Sequence, residues 1–452
     1  MTMPHPGEGS AVPPDAGFDA HHPPSPELVS DCVHCGFCLP ACPTYALTGE
    51  EMNSPRGRIY QIKLINEGEA PLDAAAVGHF DACLGCMACV SACPSGVQYD
   101  RLIESVRPQV ERNWARTRSD RAFRELIFRL FPYPRRLRVA AVFGALYQRL
   151  RVRNLLARTG VLRRLPPRMQ ALEALMPDVR LRTALRRTPG RTAARPTAER
   201  RTARQTVGMV TGCVQQVFFA EVNEATVRVL TAEGCDVVAP RAQGCCGALS
   251  EHAGREEEAT DRARQLIDTF EPLDVDTIVV NVAGCGSSLK EYGRLLADDP
   301  NYRERAAAFA AKVRDVTELL AELGPPQAAR HPVSARLAYH DACHLAHAQG
   351  VRDQPRAVLR TVPELEVTDI PEADMCCGSA GIYNLVQPEA ADQLGRRKAD
   401  NILAAAPDAV VTANPGCLLQ ITRHLGSDGD GKLPVLHPVQ IIDAAIRGVR
   451  PW

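Results

Sequence analysis

Eight cysteines between residues 32 and 93 fall in two runs of identical spacing. "CVHCGFCLPACP" sets Cys32, Cys35, Cys38 and Cys42 in C-x2-C-x2-C-x3-C-P order, and "CLGCMACVSACP" repeats it with Cys83, Cys86, Cys89 and Cys93. Thiolates this close in sequence can wrap one face of an iron–sulfur cube, while the last, ahead of proline, reaches away. In two-cluster ferredoxins that last cysteine ligates the other cluster. The pattern assigns Cys32, Cys35, Cys38 and Cys93 to one [4Fe–4S] cluster, and Cys83, Cys86, Cys89 and Cys42 to the other. Zinc knuckles are the rival reading, but they need only paired C-x2-C and would leave both prolines unexplained.

A second set of thiols lies further along. "GCCGAL" (244–249) and "DMCCGSAG" (374–381) each hold a cysteine doublet followed by glycine. Cys213 and Cys343, Cys245 and Cys376, and Cys285 and Cys417 are separated by 130, 131 and 132 residues, which marks an internal duplication. The β-rich stretches 206–210, 235–240 and 276–282, with 335–340, 365–370 and 408–413, alternate with helical stretches such as 217–233 and 255–270. Such alternation predicts parallel sheets with helical crossovers. Cys213, Cys245, Cys246 and Cys285, like Cys343, Cys376, Cys377 and Cys417, then fall just after strands, where open α/β sheets bind ligands. A vicinal disulfide would be strained, so a metal or cluster cradle is the expectation. "HDACHLAH" adds His340, His344 and His347 around Cys343. They could form a zinc site, handle protons, cap the next helix or bond to cluster sulfur. Cys235, which opens a strand, reads as a small buried hydrophobe.

The elements that position these groups divide the chain into five parts. Residues 1–26 read as a disordered tail, 27–105 as a helical ferredoxin domain, and 106–205 as an arginine-rich helical connector and linker. Residues 206–330 and 331–452 are the two repeats. "NSPRGRIYQIKLINEG" (53–68) predicts a helix after Pro55, and "SDRAFRELIFRLF" (119–131) one that Pro132 and Pro134 end. A further helix is expected over 137–158, and "RRTPGRTAARPTAERRTARQ" (186–205) reads as a low-complexity linker. The fold class is α+β multidomain: an all-helical two-cluster ferredoxin, a helical connector, then duplicated α/β domains with parallel sheets.

Composition narrows the function classes. The chain has 452 residues, 17 of them cysteine, and no apolar segment in Met1–Pro26 to suggest a signal peptide. A cytosolic chain this rich in cysteine binds metal more often than it forms disulfides. The longest apolar stretch, Val139–Tyr147, is far short of the roughly 20 residues that span a bilayer. A cytoplasmic protein, at most peripheral on the inner face of the membrane, is expected. Net charge is zero, yet residues 101–205 carry 27 arginines, no lysine and 7 acidic residues, a local charge of +20. That segment is a solvated connector, a docking surface for an acidic partner subunit, or a contact for anionic lipid. No nucleic-acid motif accompanies the arginines. No G-x-G-x-x-G follows a strand, since "GCGSSL" (284–289) lacks the third glycine, and "SDGDGK" (427–432) reads as a turn. No catalytic nucleophile–base arrangement is visible.

With both halves considered, the chain resembles the iron–sulfur subunit of glycolate oxidase. It also resembles the wider group that joins a two-cluster ferredoxin to tandem cysteine-rich CCG domains, related to the heterodisulfide reductase B subunit. The ferredoxin motifs, "SPRGRIYQIK", "YHDACHLAHAQG", "CCGSAGIYNLVQPE" and "TANPGCLLQI" carry the likeness. The resemblance implies a separate FAD subunit that oxidises a 2-hydroxy acid such as glycolate, with this chain passing electrons towards quinone. Lactate-utilisation and anaerobic glycerol-3-phosphate dehydrogenase subunits share the architecture. A non-catalytic iron–sulfur redox sensor or scaffold is the rival from another class. The fullest CCG motif closes with C-x-x-C, whereas Cys285 and Cys417 stand alone, leaving four thiols per repeat.

Overall fold

The computed structural model describes residues 17–177, 179, 181–196, 202–426 and 433–452. The tip 427–432, expected as a turn, and residues 1–16 of the expected tail lie outside them. Residues 17–25 are not loose. Asp19 accepts from Arg112 Nε at 2.8 Å and Asn113 Nδ2 at 3.0 Å, which ties this stretch to the helix Tyr99–Asn113. Fixed ion pairs with that arginine, invisible to local sequence reading, replace the expected disorder there.

The cysteine motifs sit among the helices Pro43–Thr48, Pro55–Asn66, Ala74–Ala82, Ala88–Ser91 and Tyr99–Asn113. The second starts where expected. Ser54 accepts from Gly57 N and Pro55 occupies the first position, where its missing N–H has no partner to lose. Gly57 is required by packing, since a Cβ there would stand 2.1 Å from Glu51 O. Ile59, Ile62, Phe80, Leu102 and Ile103 share one apolar core with Cys83 and Cys89, so the side chains that fold this region also fix its thiols.

In the connector, Thr117 caps the helix Arg118–Leu130, and Pro134 opens the helix Pro134–Arg149. The helix expected over 137–158 is instead two pieces, interrupted by Arg151 at φ 53° before Val152–Arg158. The linker also departs from expectation: Arg191–Thr192 (β1) adds an antiparallel edge strand to the first sheet.

That sheet continues with β2 (Thr206–Val210), β3 (Asp236–Val238), β4 (Thr277–Val280) and β5 (Val313–Asp315), in the order β1-β3-β2-β4-β5. The second holds β6 (Ala335–Tyr339), β7 (Leu365–Asp369), β8 (Ala409–Val411) and β9 (Val435–Leu436), in the order β7-β6-β8-β9. Apart from β1 the pairings are parallel and the two orders correspond, so the duplication is structural as well as sequential. Both repeats feed one core, in which Val207, Met209, Leu337, Tyr339, Val411 and Ile441 meet. Arg228 clamps Asp443 across the repeats with two bonds of 2.8 Å. The strand ends approach each other: Ala283 N donates to Ala413 O at 3.0 Å and Gly284 N to Asn414 Oδ1 at 3.4 Å. Among the described residues no helix is long and apolar enough to cross a membrane.

Candidate metal centres

Two cavities separate the ferredoxin thiols into sets. One is lined by Cys32, Cys35, Cys38 and Cys93, with Cys89 on its wall. The other is lined by Cys42, Cys83, Cys86 and Cys89. Cys42 thus leaves its own run for the second cavity, and Cys93 leaves its run for the first. The outer set reaches solvent, with Cys35 exposed and Cys32, Cys38 and Cys93 half-buried, whereas the four inner cysteines are buried.

Fixed donors and cations surround the sulfurs. Gly85 N donates to Cys83 Sγ at 3.4 Å, Val97 N to Cys93 Sγ at 3.4 Å, and Tyr99 Oη to Cys83 Sγ at 3.5 Å. Arg58, 1% exposed, is held by donation to His79 O at 2.7 Å and Thr44 Oγ1 at 3.1 Å. Burial opposes ionisation of Cys83, but Arg58, Arg107 and the Tyr99 hydroxyl outweigh it and hold the thiol below its usual range. Burial pushes Cys86 and Cys89 well up. Soft thiolate donors with hydrogen bonds to sulfur and a buried cation fit iron–sulfur cubes.

The repeats gather their thiols as chains. In the first, Cys213 and Cys245 lie 3.6 Å apart, and Cys246 faces both Cys245 and Cys285. The neighbouring sulfurs of Cys213 and Cys246 hold Cys245 well below the ordinary thiol range and are themselves raised. In the second, Cys343 and Cys376 lie 4.0 Å apart, and Cys377 links Cys376 to Cys417. The glycine after each doublet has a packing reason. Gly247 and Gly378 adopt φ of 85° and 88°, and a Cβ would come within 3.0 Å of Ala259 O and 2.8 Å of Ala391 O. These turns seat each doublet against the helix that follows.

The three histidines separate. His340 is buried beside Cys377 and Cys417, and burial, then Lys398, hold it far below the ordinary imidazole range. His344 Nδ1 lies 3.6 Å from Cys343 Sγ, at the start of a π-helical turn, His344–Ala348. His347 instead meets Ser91 Oγ at 3.0 Å and Asp374 O at 3.1 Å, joining repeat to ferredoxin. Sequence reading missed Arg58, Arg107, His252 and Lys398. Only Lys398 carried a signal, as one of five lysines in an arginine-rich chain.

The inner ferredoxin cavity adjoins the second repeat. Leu84, Cys86 and Ala88 pack in one apolar cluster with Cys343, Cys376 and Tyr383. His252 of the first repeat fills the three-way junction. Its Nδ1 is 3.1 Å from Arg107 Nη1, its ring stands edge-on to His344 at 5.8 Å, and a Cβ at Gly85 or Gly381 would strike it.

Nearby, Glu104 pairs with Arg294 and faces Glu251. Burial, then Glu251, push the Glu104 carboxyl up to about 8 against the pull of Arg294. The folded chain therefore keeps a proton that the unfolded chain releases near pH 4.3. Its stabilisation is complete below that pH and is lost as pH rises through about 8. Anaerobic urea titrations should show stability falling from about pH 4.3 to about pH 8, and Glu104→Gln should flatten that slope. An unchanged slope would remove Glu104 as its source.

Comparison with known proteins places these features together. The chain matches the 4Fe-4S dicluster domain over residues 28–97, the glycolate oxidase iron-sulfur subunit linker region over 119–176, and the cysteine-rich CCG domain over 207–290 and 337–422. A dicluster ferredoxin joined to tandem CCG domains defines an iron–sulfur electron-transfer protein. The chain is 37% identical to the probable glycolate oxidase iron-sulfur subunit of Bacillus subtilis, over 91% of this chain and 93% of that one. It is 35% identical to the glycolate oxidase iron-sulfur subunit of Escherichia coli, over 93% and 94% respectively. Lactate utilization protein A of Geobacillus kaustophilus is 31% identical over 53% of this chain and 98% of its own. The chain belongs to the glycolate oxidase iron–sulfur subunit family.

Proposed function

We propose that this chain carries electrons for a flavin-dependent 2-hydroxy-acid dehydrogenase that oxidises glycolate to glyoxylate on a separate FAD subunit, and passes them towards quinone. The observation that carries this is the exchange of Cys42 and Cys93 between two adjoining cavities. Cys32, Cys35, Cys38 and Cys93 would hold one [4Fe–4S] cluster of an all-helical ferredoxin domain, and Cys83, Cys86, Cys89 and Cys42 the other. When bound, such clusters supply one-electron relay. The chain's own residues set the direction: the outer thiols open to solvent, and Cys86 lies against Cys343 and Cys376. The cysteines of both repeats would hold a further cluster or metal. Residues 27–105, 106–205, 206–330 and 331–452 serve as the domains. We place the protein in the cytoplasm, at most peripheral on the inner membrane face.

Purified without oxygen, the chain should contain about eight iron and eight sulfide from the ferredoxin motifs alone. It should hold no flavin and oxidise no glycolate until the FAD subunit is added. FAD bound to the single chain would overturn the subunit reading.

Two surfaces suit docking. Val33 and Phe37 are 68% and 64% exposed on the loop that carries Cys35. On the helix Pro134–Arg149, Val139, Val142, Phe143 and Leu146 form an exposed apolar stripe beside Arg135 and Arg136. Charge reversal at Arg135 and Arg136 should weaken co-purification with the flavoprotein, and high salt should weaken the unaltered complex. If neither treatment changes recovery, the arginines are a solvated face only.

A further inference from the structure

The two repeats differ in what faces their thiols. His340 follows β6, three residues before Cys343, and is 1% exposed. Neither ring nitrogen has a hydrogen-bond partner; the Ala373 carbonyl faces the ring without reaching bonding geometry. One ring nitrogen and the sulfurs of Cys377 and Cys417 lie within 4.8 Å of one another. Folded chains rarely keep a buried polar group unpartnered, and an ion or ligand is one way such a group is completed. The position three residues before Cys213 is Val210, packed in an apolar cluster.

A second difference points to the same place. Lys398 is 2% exposed, and its ammonium donates to Glu372 O and Ala373 O. Cys377 and Cys376 face it. Gly378 packs on Ala391 and Leu394 as Gly247 packs on Ala259 and Arg262, which makes Leu266 the counterpart of Lys398. A fully buried lysine thus offsets thiolate charge in the second repeat, where the first has only the half-buried Arg262 facing Cys245.

We propose that the second repeat holds a transition-metal centre to which His340 supplies a nitrogen ligand beside Cys377 and Cys417. The first repeat binds through sulfur only. This rests on the reading that the repeat cysteines hold metal. Tetrahedral zinc bonds of about 2.0–2.3 Å place donors roughly 3.4–3.8 Å apart, so the donors of His340, Cys377 and Cys417, all within 4.8 Å of one another, need to close by only about 1 Å. Imidazole with thiolate suits zinc and iron alike. A ligating imidazole commonly donates its other N–H to a carbonyl, and Ala373 O faces the ring. For iron, exchanging a thiolate for neutral imidazole raises the reduction potential, as in clusters with mixed ligands. His340 takes the place of the cysteine that a closing C-x-x-C would have provided.

The test uses the full chain, purified anaerobically, with its His340→Val and His340→Cys variants. Metal and sulfide analysis reads whether iron, with sulfide, or zinc accompanies the ferredoxin iron of about eight per chain. Pulsed EPR of the reduced iron centre, or zinc K-edge absorption, reads a bound nitrogen. The expected result is extra metal with a nitrogen signature. His340→Cys should keep the metal and lose the signature, while His340→Val should lose the metal and keep the ferredoxin iron. Should His340→Val not fold, the nitrogen signature of the unaltered chain still decides. Absence of metal beyond the ferredoxin iron would overturn the metal reading and this proposal with it. Extra metal without a nitrogen ligand, or with a nitrogen signal unchanged in both variants, would overturn the His340 assignment alone.

Discussion

Serine at position 93 is expected to empty the cavity lined by Cys32, Cys35 and Cys38, although those residues belong to the other motif. Cys93 closes that cavity, and Val97 N–H points at its sulfur. A hydroxyl is a shorter, harder donor than thiolate and serves iron poorly. Iron should fall from about eight to about four per chain, with the EPR signal of the inner cluster retained. Cys42→Ser should do the reverse, emptying the buried cavity. If Cys93→Ser disturbs instead the cluster of Cys83, Cys86 and Cys89, the exchange of ligands is wrong.

Replacing Arg58 by methionine should be the more damaging change. The guanidinium is fully buried, held by His79 O and Thr44 Oγ1, and faces Cys42 and Cys83. Losing it leaves the buried Cys42 without its cation and Cys83 with Arg107 alone, and removing one partner of such a set costs about 3–5 kcal/mol. That is a large part of the 5–15 kcal/mol that keeps a domain folded. The inner cluster should be lost and the thermal midpoint should drop. Arg58→Lys should rescue only in part, because a compact ammonium cannot reproduce the fork that reaches both oxygens. Full iron content with an unchanged midpoint in Arg58→Met would show that the cation is dispensable.

What the sequence revealed depended on how local the cause was. Ligand spacing, the proline after each run, the helix opened by Pro55, and the strand pattern around each doublet are decided within a dozen residues. The parallel sheets followed from them. The junction was not legible, because His252 meets Arg107 across 145 residues and the closeness required of Gly85 and Gly381 exists only in three dimensions. Arg58 was hidden among many arginines that stay at the surface. Strand β1 came from the backbone of an arginine-rich linker, which side-chain patterning does not register. Asp19 could not be seen to hold its segment, since its partner Arg112 lies 93 residues away.

The unequal shelter of the ferredoxin thiols bears on how this protein ages. Cys35 is exposed, whereas Cys42, Cys83, Cys86 and Cys89 are buried. Oxidants attack sulfur in proportion to thiolate character and access. Air therefore strikes first at the outer, solvent-open cavity and reaches the interior later. A partly bleached preparation is then not a uniformly weakened one. It is a population in which some molecules keep a reducible interior behind a lost entrance, so residual brown colour overstates remaining turnover. The exposure of the outer thiols also determines where decay begins.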